Sequence, residues 1–202
     1  NPPHLNVHQS ACHQTKARKH GQNVIDEALK DNDIGCFVDG SQKEAGISSF
    51  ALHWMNVNLP HIIRRMEGQW VTAHSAEVRA TERAVQLCAA LPHLKNKRVT
   101  IFSDSLAAVK ATLNPRRGTS RGVFELLQCL PNVHLKWTPA HVGLKHNELA
   151  DSLAKSANDD STVFHACPDV EDWKTTLKRN TWLIWKDLWN SSKDNSFSPR
   201  FA

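Results

Sequence analysis

Two aspartates stand at the ends of short apolar runs. Cys36-Phe37-Val38-Asp39-Gly40-Ser41 and Val99 to Ser103 followed by Asp104 each place a carboxylate where strand-forming residues give way to turn-forming ones. Two more acids lie on helical patterns. Glu77 opens a series with Ala80, Ala84, Cys88 and Leu91 at spacings of three and four, and Asp151 follows Asn147 by four residues. Four carboxylates gathered in one crevice repel one another unless cations neutralise them. Asp39, Glu77, Asp104 and Asp151 therefore make sense together as a divalent-metal site, and hard oxygen donors favour magnesium or manganese.

Bringing four acids together requires a particular order of elements. Ile34 to Asp39, Ile47 to Met55 and Ile62 to Trp70 read as three strands, with turns at Lys43 to Gly46 and Asn56 to Pro60, an antiparallel meander. Ser75 offers an N-cap for a helix to Leu91, which puts Glu77 in the first turn. Val99 to Ser103 is a fourth strand, Ser105 begins a helix through Leu106, Val109 and Leu113, and a further helix reaches Leu130. Between these helices, Arg116, Arg117 and Arg121 fall in a loop containing Gly and Ser. Val133 to Thr138 is a fifth strand, Ala140-His141-Val142-Gly143 a loop, and Asn147 the cap of a helix to Ala157. The expected fold is α/β: a five-stranded mixed sheet, antiparallel meander plus parallel strands, flanked by helices, with the first strand central.

The ends differ in texture from this core. Residues 1–33 read as a polar N-terminal linker or the end of a preceding domain, 34–158 as the core domain, and 159–202 as a Trp-rich helical extension. His4, His8 and Cys12 are spaced by four and could hold zinc on a helix, but Pro2, Pro3 and the absence of apolar periodicity argue for a linker. In the extension, Trp173, Leu177, Ile184 and Leu188 form one helical stripe and Trp182, Trp185 and Trp189 another, facing either their own domain or a neighbouring one. The net charge of +5 suits a polyanionic partner. No run is long and apolar enough for a membrane span. Five scattered cysteines without a Cys-x-x-Cys pair point to a reducing, intracellular setting, nucleus or cytoplasm. A first residue other than Met suggests a piece of a longer polypeptide.

The ordered set Val38-Asp39-Gly40-Ser41, Ala76-Glu77-Val78-Arg79-Ala80, Phe102-Ser103-Asp104-Ser105, Trp137-Thr138-Pro139-Ala140-His141-Val142-Gly143 and Asn147-Glu148-Leu149-Ala150-Asp151-Ser152-Leu153-Ala154 closely resembles the type I ribonuclease H family. The resemblance implies a ribonuclease H-like fold and an endonuclease that hydrolyses the RNA strand of RNA/DNA hybrids, leaving 3′-hydroxyl and 5′-phosphate ends. It implies that Asp39 bridges two metal ions, that Glu77 and Asp104 bind one and Asp151 the other, and that His141 assists proton transfer or product release. It further implies that Gly40 and Ser41 approach the RNA strand and that Thr72 holds a DNA phosphate, the other reading of Thr72 being a plain strand-end threonine. Ser105 and Asn147 complete the implied substrate-binding set.

Departures from the family pattern bear on subtype. Ala73 and His74 stand where cellular members often carry an asparagine or polar pair, so minor-groove contacts are expected to differ. The 37 residues from Asp104 to His141 are too few for the extra basic helix and loop of cellular bacterial enzymes. This is similar to retroelement versions, which borrow substrate affinity from an attached reverse transcriptase. The Trp-rich extension is similar to the segment after ribonuclease H in polyproteins of non-long-terminal-repeat retrotransposons. An alternative is a catalytically silent, domesticated nucleic-acid-binding or interaction module of the same fold. A transposase, integrase or exonuclease of that broad fold gives no reason for the segment from His141 to Asp151.

Overall fold

Side chains that alternate between two buried faces along the first strand set the layers. In β1 (Ile34–Glu44), Ile34, Cys36 and Val38 enter one apolar cluster and Phe37 enters another, because successive strand side chains point to opposite faces. The computed structural model describes residues 4–44, 46–68, 70–114, 119–157, 161–165, 167–168 and 170–193. β2 (Ile47–Met55) pairs antiparallel with β1 and with β3 (Ile62–Glu67), while β4 (Val99–Ser103) pairs parallel with β1 and with β5 (Val133–Trp137). The sheet order is β3-β2-β1-β4-β5, the expected five-stranded mixed sheet with the first strand in the middle.

Helices cover both faces. Ala76, Ala80, Ala84, Val85 and Cys88 of α2 (Ala73–Ala90) pack on one face with Val109 of α3 (Leu106–Leu113) and with Val123 and Leu127 of α4 (Thr119–Gln128). On the other face, Ile25 and Ala28 of α1 (His4–Ala28) and Ala150 of α5 (Lys145–Lys155) meet Phe37, Phe102 and Leu144. Ser49 Oγ donates to the Ala154 carbonyl at 2.6 Å, and His53 Nε2 lies 2.8 Å from His146 Nδ1, so β2 and α5 are joined at two points.

Several local expectations change. The segment read as a linker is helical from His4 to Ala28, because Gly21, Ile25 and Ala28 form a buried stripe against the sheet that is too short to show as periodicity over the whole segment. The side chains of His4 and His8 lie outside the described residues, and the zinc reading with them. β1 does not turn at Gly40 and Ser41: both stay in the ladder, opposite Phe50 and Ser49. β3 ends at Glu67, three residues before Trp70. Arg121 belongs to α4, where it pairs with Glu125 at 2.8 Å, whereas Arg116 and Arg117 lie outside the described residues.

Beyond α5 the chain folds back on the sheet. Arg65 N donates to the Thr162 carbonyl and Phe164 N to the Arg65 carbonyl, covering the exposed edge of β3, while Phe164 meets Phe50 edge-on at 5.2 Å. α6 (Val170–Lys193) comes next. Its Asp172 and Thr176 are buried, whereas Trp173, Trp182, Trp185 and Trp189 are 42–57 % exposed. Of the two readings left open for this helix, packing of its tryptophans on their own domain is the one the structure does not bear out.

Candidate active site

Strand register aligns the first pair of acids. Parallel pairing of β1 with β4 sets Phe37 opposite Phe102, their rings stacked 4.8 Å apart, and ends at Val38 opposite Ser103. Asp39 and Asp104 are each the next residue, so both carboxylates emerge together where the parallel pairing stops, at the carboxyl end of β4 and partway along β1, the side of an α/β sheet on which sites usually lie. Trp137, at the end of β5, donates its indole N–H to the Asp104 carbonyl at 3.0 Å and fixes that backbone.

A glycine admits the third acid. A Cβ on Gly40 would stand 2.5 Å from Glu77 N and 2.8 Å from the Ala76 carbonyl carbon, so the α2 backbone closes directly onto β1 at this point. Gly40 is thus a packing requirement, and the turn expected of it is absent. Thr72 caps α2: its Oγ1 accepts from Ser75 N at 3.1 Å, while Ser75 Oγ accepts from Thr72 N at 2.7 Å. Ser75, expected as the cap, is the third residue of the helix. Glu77 consequently lies in the second turn, one position past the first.

The resulting group is buried and acidic. One oxygen from each of Asp39, Glu77 and Asp104 lies within 4.8 Å of the others. Asp39 is 6 % exposed and Glu77 8 %. Burial, followed by the charges of Asp104 and Asp151, pushes the Asp39 carboxyl up to about 8, against smaller lowering effects from Lys155 and the Gly40 N–H. Burial and then Asp39 and Asp104 push Glu77 up to about 9, and burial also raises Asp104, opposed chiefly by His141. Asp39 Oδ2 and Glu77 Oε2 have no hydrogen-bond partner among the described residues. Buried carboxylate oxygens without donors, aimed into a shared space, fit a hard divalent cation.

Asp151 belongs to a neighbouring group with His141 and Glu148, again with ligand atoms within 4.8 Å, and it receives Lys155 Nζ at 2.7 Å. His141 is exposed in a loop with φ of 52°, and Gly143 follows at 79°, where glycine adopts the left-handed conformation without a Cβ clash. Glu148 Oε1 accepts from Gly143 N at 3.1 Å and ties that loop to α5. Asn147 does not cap α5. Leu144 occupies that position without a side-chain bond, and the Asn147 amide donates to Thr138 Oγ1 at 2.7 Å, with both residues buried. Ser105 does cap α3, accepting from Ala108 N at 3.3 Å. The site residues found by tertiary contact alone are Glu148, Lys155 and Trp137. For the first two the available signal was their spacing of three and four from Asp151 on one helix face.

The family model for RNase H matches residues 31–159. No curated protein matches the chain. Among solved structures, an RNase H1 isolated from compost by a metagenomic approach is similar at TM-score 0.50 and 20 % identity, over 62 % of this chain and 95 % of that one. The prototype foamy virus protease-reverse transcriptase is similar at TM-score 0.50 and 16 % identity, over 61 % of this chain and 20 % of that one. These likenesses show the fold. With the family model spanning more than half of its length, the chain belongs to the RNase H family and is a ribonuclease H.

Proposed function

We propose that the chain is an endonuclease that hydrolyses the RNA strand of RNA/DNA hybrids and leaves 3′-hydroxyl and 5′-phosphate ends. The observation that carries this reading is the close group of Asp39, Glu77 and Asp104 with two donor-less buried oxygens, where the parallel pairing of β1 with β4 ends. Those three, with Asp151 beside them, would hold two magnesium ions, or manganese. Bound there, the ions supply Lewis-acid polarisation of the phosphoryl group and lower the pKa of the attacking water. The protein's own residues do the rest. Gly40 keeps α2 and β1 in contact, so the acids are placed before a cation arrives. Glu148 holds the loop of His141, whose imidazole is placed to carry a proton away from the site. Gly40 and Ser41 line the approach of the RNA strand, where the 2′-hydroxyl distinguishes RNA from DNA. The Ser105 hydroxyl accepts a cap bond and retains a proton to donate to a phosphate oxygen, whereas the Thr72 hydroxyl, 3.0 Å from Ser75 Oγ, would turn its proton from that contact to hold a DNA phosphate.

The domain is further proposed to act beside a reverse transcriptase in the polyprotein of a non-long-terminal-repeat retrotransposon, or as a domesticated descendant. Support comes from the 37-residue interval between Asp104 and His141 and from the solvent-facing tryptophans of α6. Labelled RNA/DNA hybrid, double-stranded DNA and double-stranded RNA, incubated with magnesium, manganese or EDTA, test the activity. Only the RNA strand of the hybrid should be cut, and EDTA, Asp39→Asn or Asp104→Asn should abolish cutting while hybrid binding persists. Full activity in Asp39→Asn would falsify the reading, as would equal cutting of all three duplexes.

A further inference from the structure

The loop of His141 is backed by a part of the chain outside the residues that match the family, 31–159. Gly21 of α1 is buried where a Cβ would stand 2.8 Å from Pro139 Cδ and 2.7 Å from Leu144 Cδ1, so the helix backbone rests against both flanks of the loop. About one turn earlier, the Arg18 guanidinium carbon lies 3.6 Å from the place a Cβ would take on Gly143. At the opposite end of the helix, Leu29 Cδ1 lies 3.1 Å from the corresponding point on Gly35, at the start of β1. α1 therefore runs from the carboxyl ends of the parallel strands, where the acids gather, back to their amino ends. Residues before Gly21 continue past the catalytic edge of the sheet, and at ~1.5 Å per residue the stretch from His4 to His20 adds roughly 25 Å.

Charge is distributed along the helix in the same sense. The first 25 residues contain no acid, and Asp26 and Glu27 come only at the sheet-packed end. Lys16, Arg18 and Lys19 are exposed and take part in no ion pair among the described residues. Cations held beside a group of acids can neutralise those acids or meet a polyanion that lies across both. Arg18 packs on Gly143, and none of the three engages a carboxylate of the described residues, which favours the polyanion.

We infer that Lys16, Arg18 and Lys19 form a phosphate-contacting arm for the hybrid duplex, supplied from outside the catalytic fold and seated on the loop of His141. The identity of the duplex rests on the hydrolase reading above. Part of the affinity that the short Asp104 to His141 interval cannot provide is thereby supplied from the chain's other end.

Hybrid binding by the full chain, carrying Asp39→Asn so that nothing is cut, tests the arm by fluorescence anisotropy across salt concentration. Each phosphate contact contributes about 0.9 to the slope of log affinity against log salt, so Lys16→Ala/Arg18→Ala/Lys19→Ala should flatten the slope by about 2.7. Between about 50 and about 200 mM salt, the wild-type arm should then lose roughly 40-fold more affinity than the variant. Lys30→Ala, a cation at the opposite end of the helix, should leave the slope where it is. Equal slopes for the triple variant and Lys30→Ala overturn the inference. Should circular dichroism show the triple variant losing helix, Lys19→Ala alone, expected to lower the slope by about 0.9, decides instead. A chain that binds hybrid through this arm yet cuts nothing sinks the hydrolase reading and sustains the arm. Normal cutting with an unchanged slope does the reverse.

Discussion

Asp39→Asn should make the metal-free protein more stable at neutral pH while removing its activity. The Asp39 carboxyl is raised from 3.8 to about 8 by burial, then by Asp104 and Asp151. Below about pH 4, folded and unfolded chains both hold the proton and no stability is lost. Above that, the unfolded chain has released its proton and the folded chain has not, so stability falls as pH rises until it levels off near 8. By pH 7 about three units of this window have been crossed, at ~1.4 kcal/mol each, a cost of about 4 kcal/mol. Asparagine removes that cost but leaves a buried amide without partners, worth about 1–3 kcal/mol, so the net gain is about 1–3 kcal/mol. For a chain of this size each kcal/mol moves the melting temperature by ~2–4 °C, which gives a rise of about 2–12 °C. Thermal unfolding in EDTA from about pH 5 to about pH 8 measures it. The gain should vanish at the acid end, where little of the window has been crossed. With saturating magnesium the order should reverse, because a cation binding only the folded wild type stabilises it. A melting-temperature difference that stays constant across this pH range, or one absent in EDTA at pH 8, refutes the reasoning.

Gly40→Ala should drive a methyl group into the α2 backbone at Glu77 N and the Ala76 carbonyl carbon, costing about 1–3 kcal/mol in thermal melts and displacing Glu77 from Asp39. A shift of about 1 Å there should lower kcat roughly 100-fold, and wild-type kcat in that variant would show that the close approach does not position the acid. Glu148→Ala frees the Gly143 N–H and should reduce kcat roughly tenfold through the loop of His141, whereas Glu148→Gln keeps the acceptor and should retain most activity. In a double-mutant cycle with His141→Ala, the two losses should fall short of adding, and full additivity would mean that Glu148 does not act through that loop.

Much of the sheet was readable because its signals are local. Phe37 and Val38 before Asp39, and Ile101 and Phe102 before Asp104, are short strand-forming runs each ending in a carboxylate, and the order of meander, helix and further strands leaves few topologies for the rest. Helix boundaries were less secure. Thr72 rather than Ser75 caps α2, and Leu144 rather than Asn147 precedes α5, because a hydroxyl or amide near a helix start can serve equally well inside the first turn or on a neighbouring loop. Gly40 looked like a turn residue, since nothing local distinguishes a glycine that bends a chain from one that admits another backbone.

The sequence by itself singled out the four acids as candidates and determined the strands that bring Asp39 and Asp104 to the site, because hydrophobic period and residue type act over a few positions. Only the tertiary structure decided that Asp39, Glu77 and Asp104 share one group while Asp151 stands with His141 and Glu148. It likewise decided that residues read as a linker form a helix braced on Pro139 and Leu144, and that the tryptophans of α6 face outward while its Asp172 and Thr176 are buried. Each of these depends on packing between segments far apart in the chain, and such packing leaves no periodic trace in either segment alone.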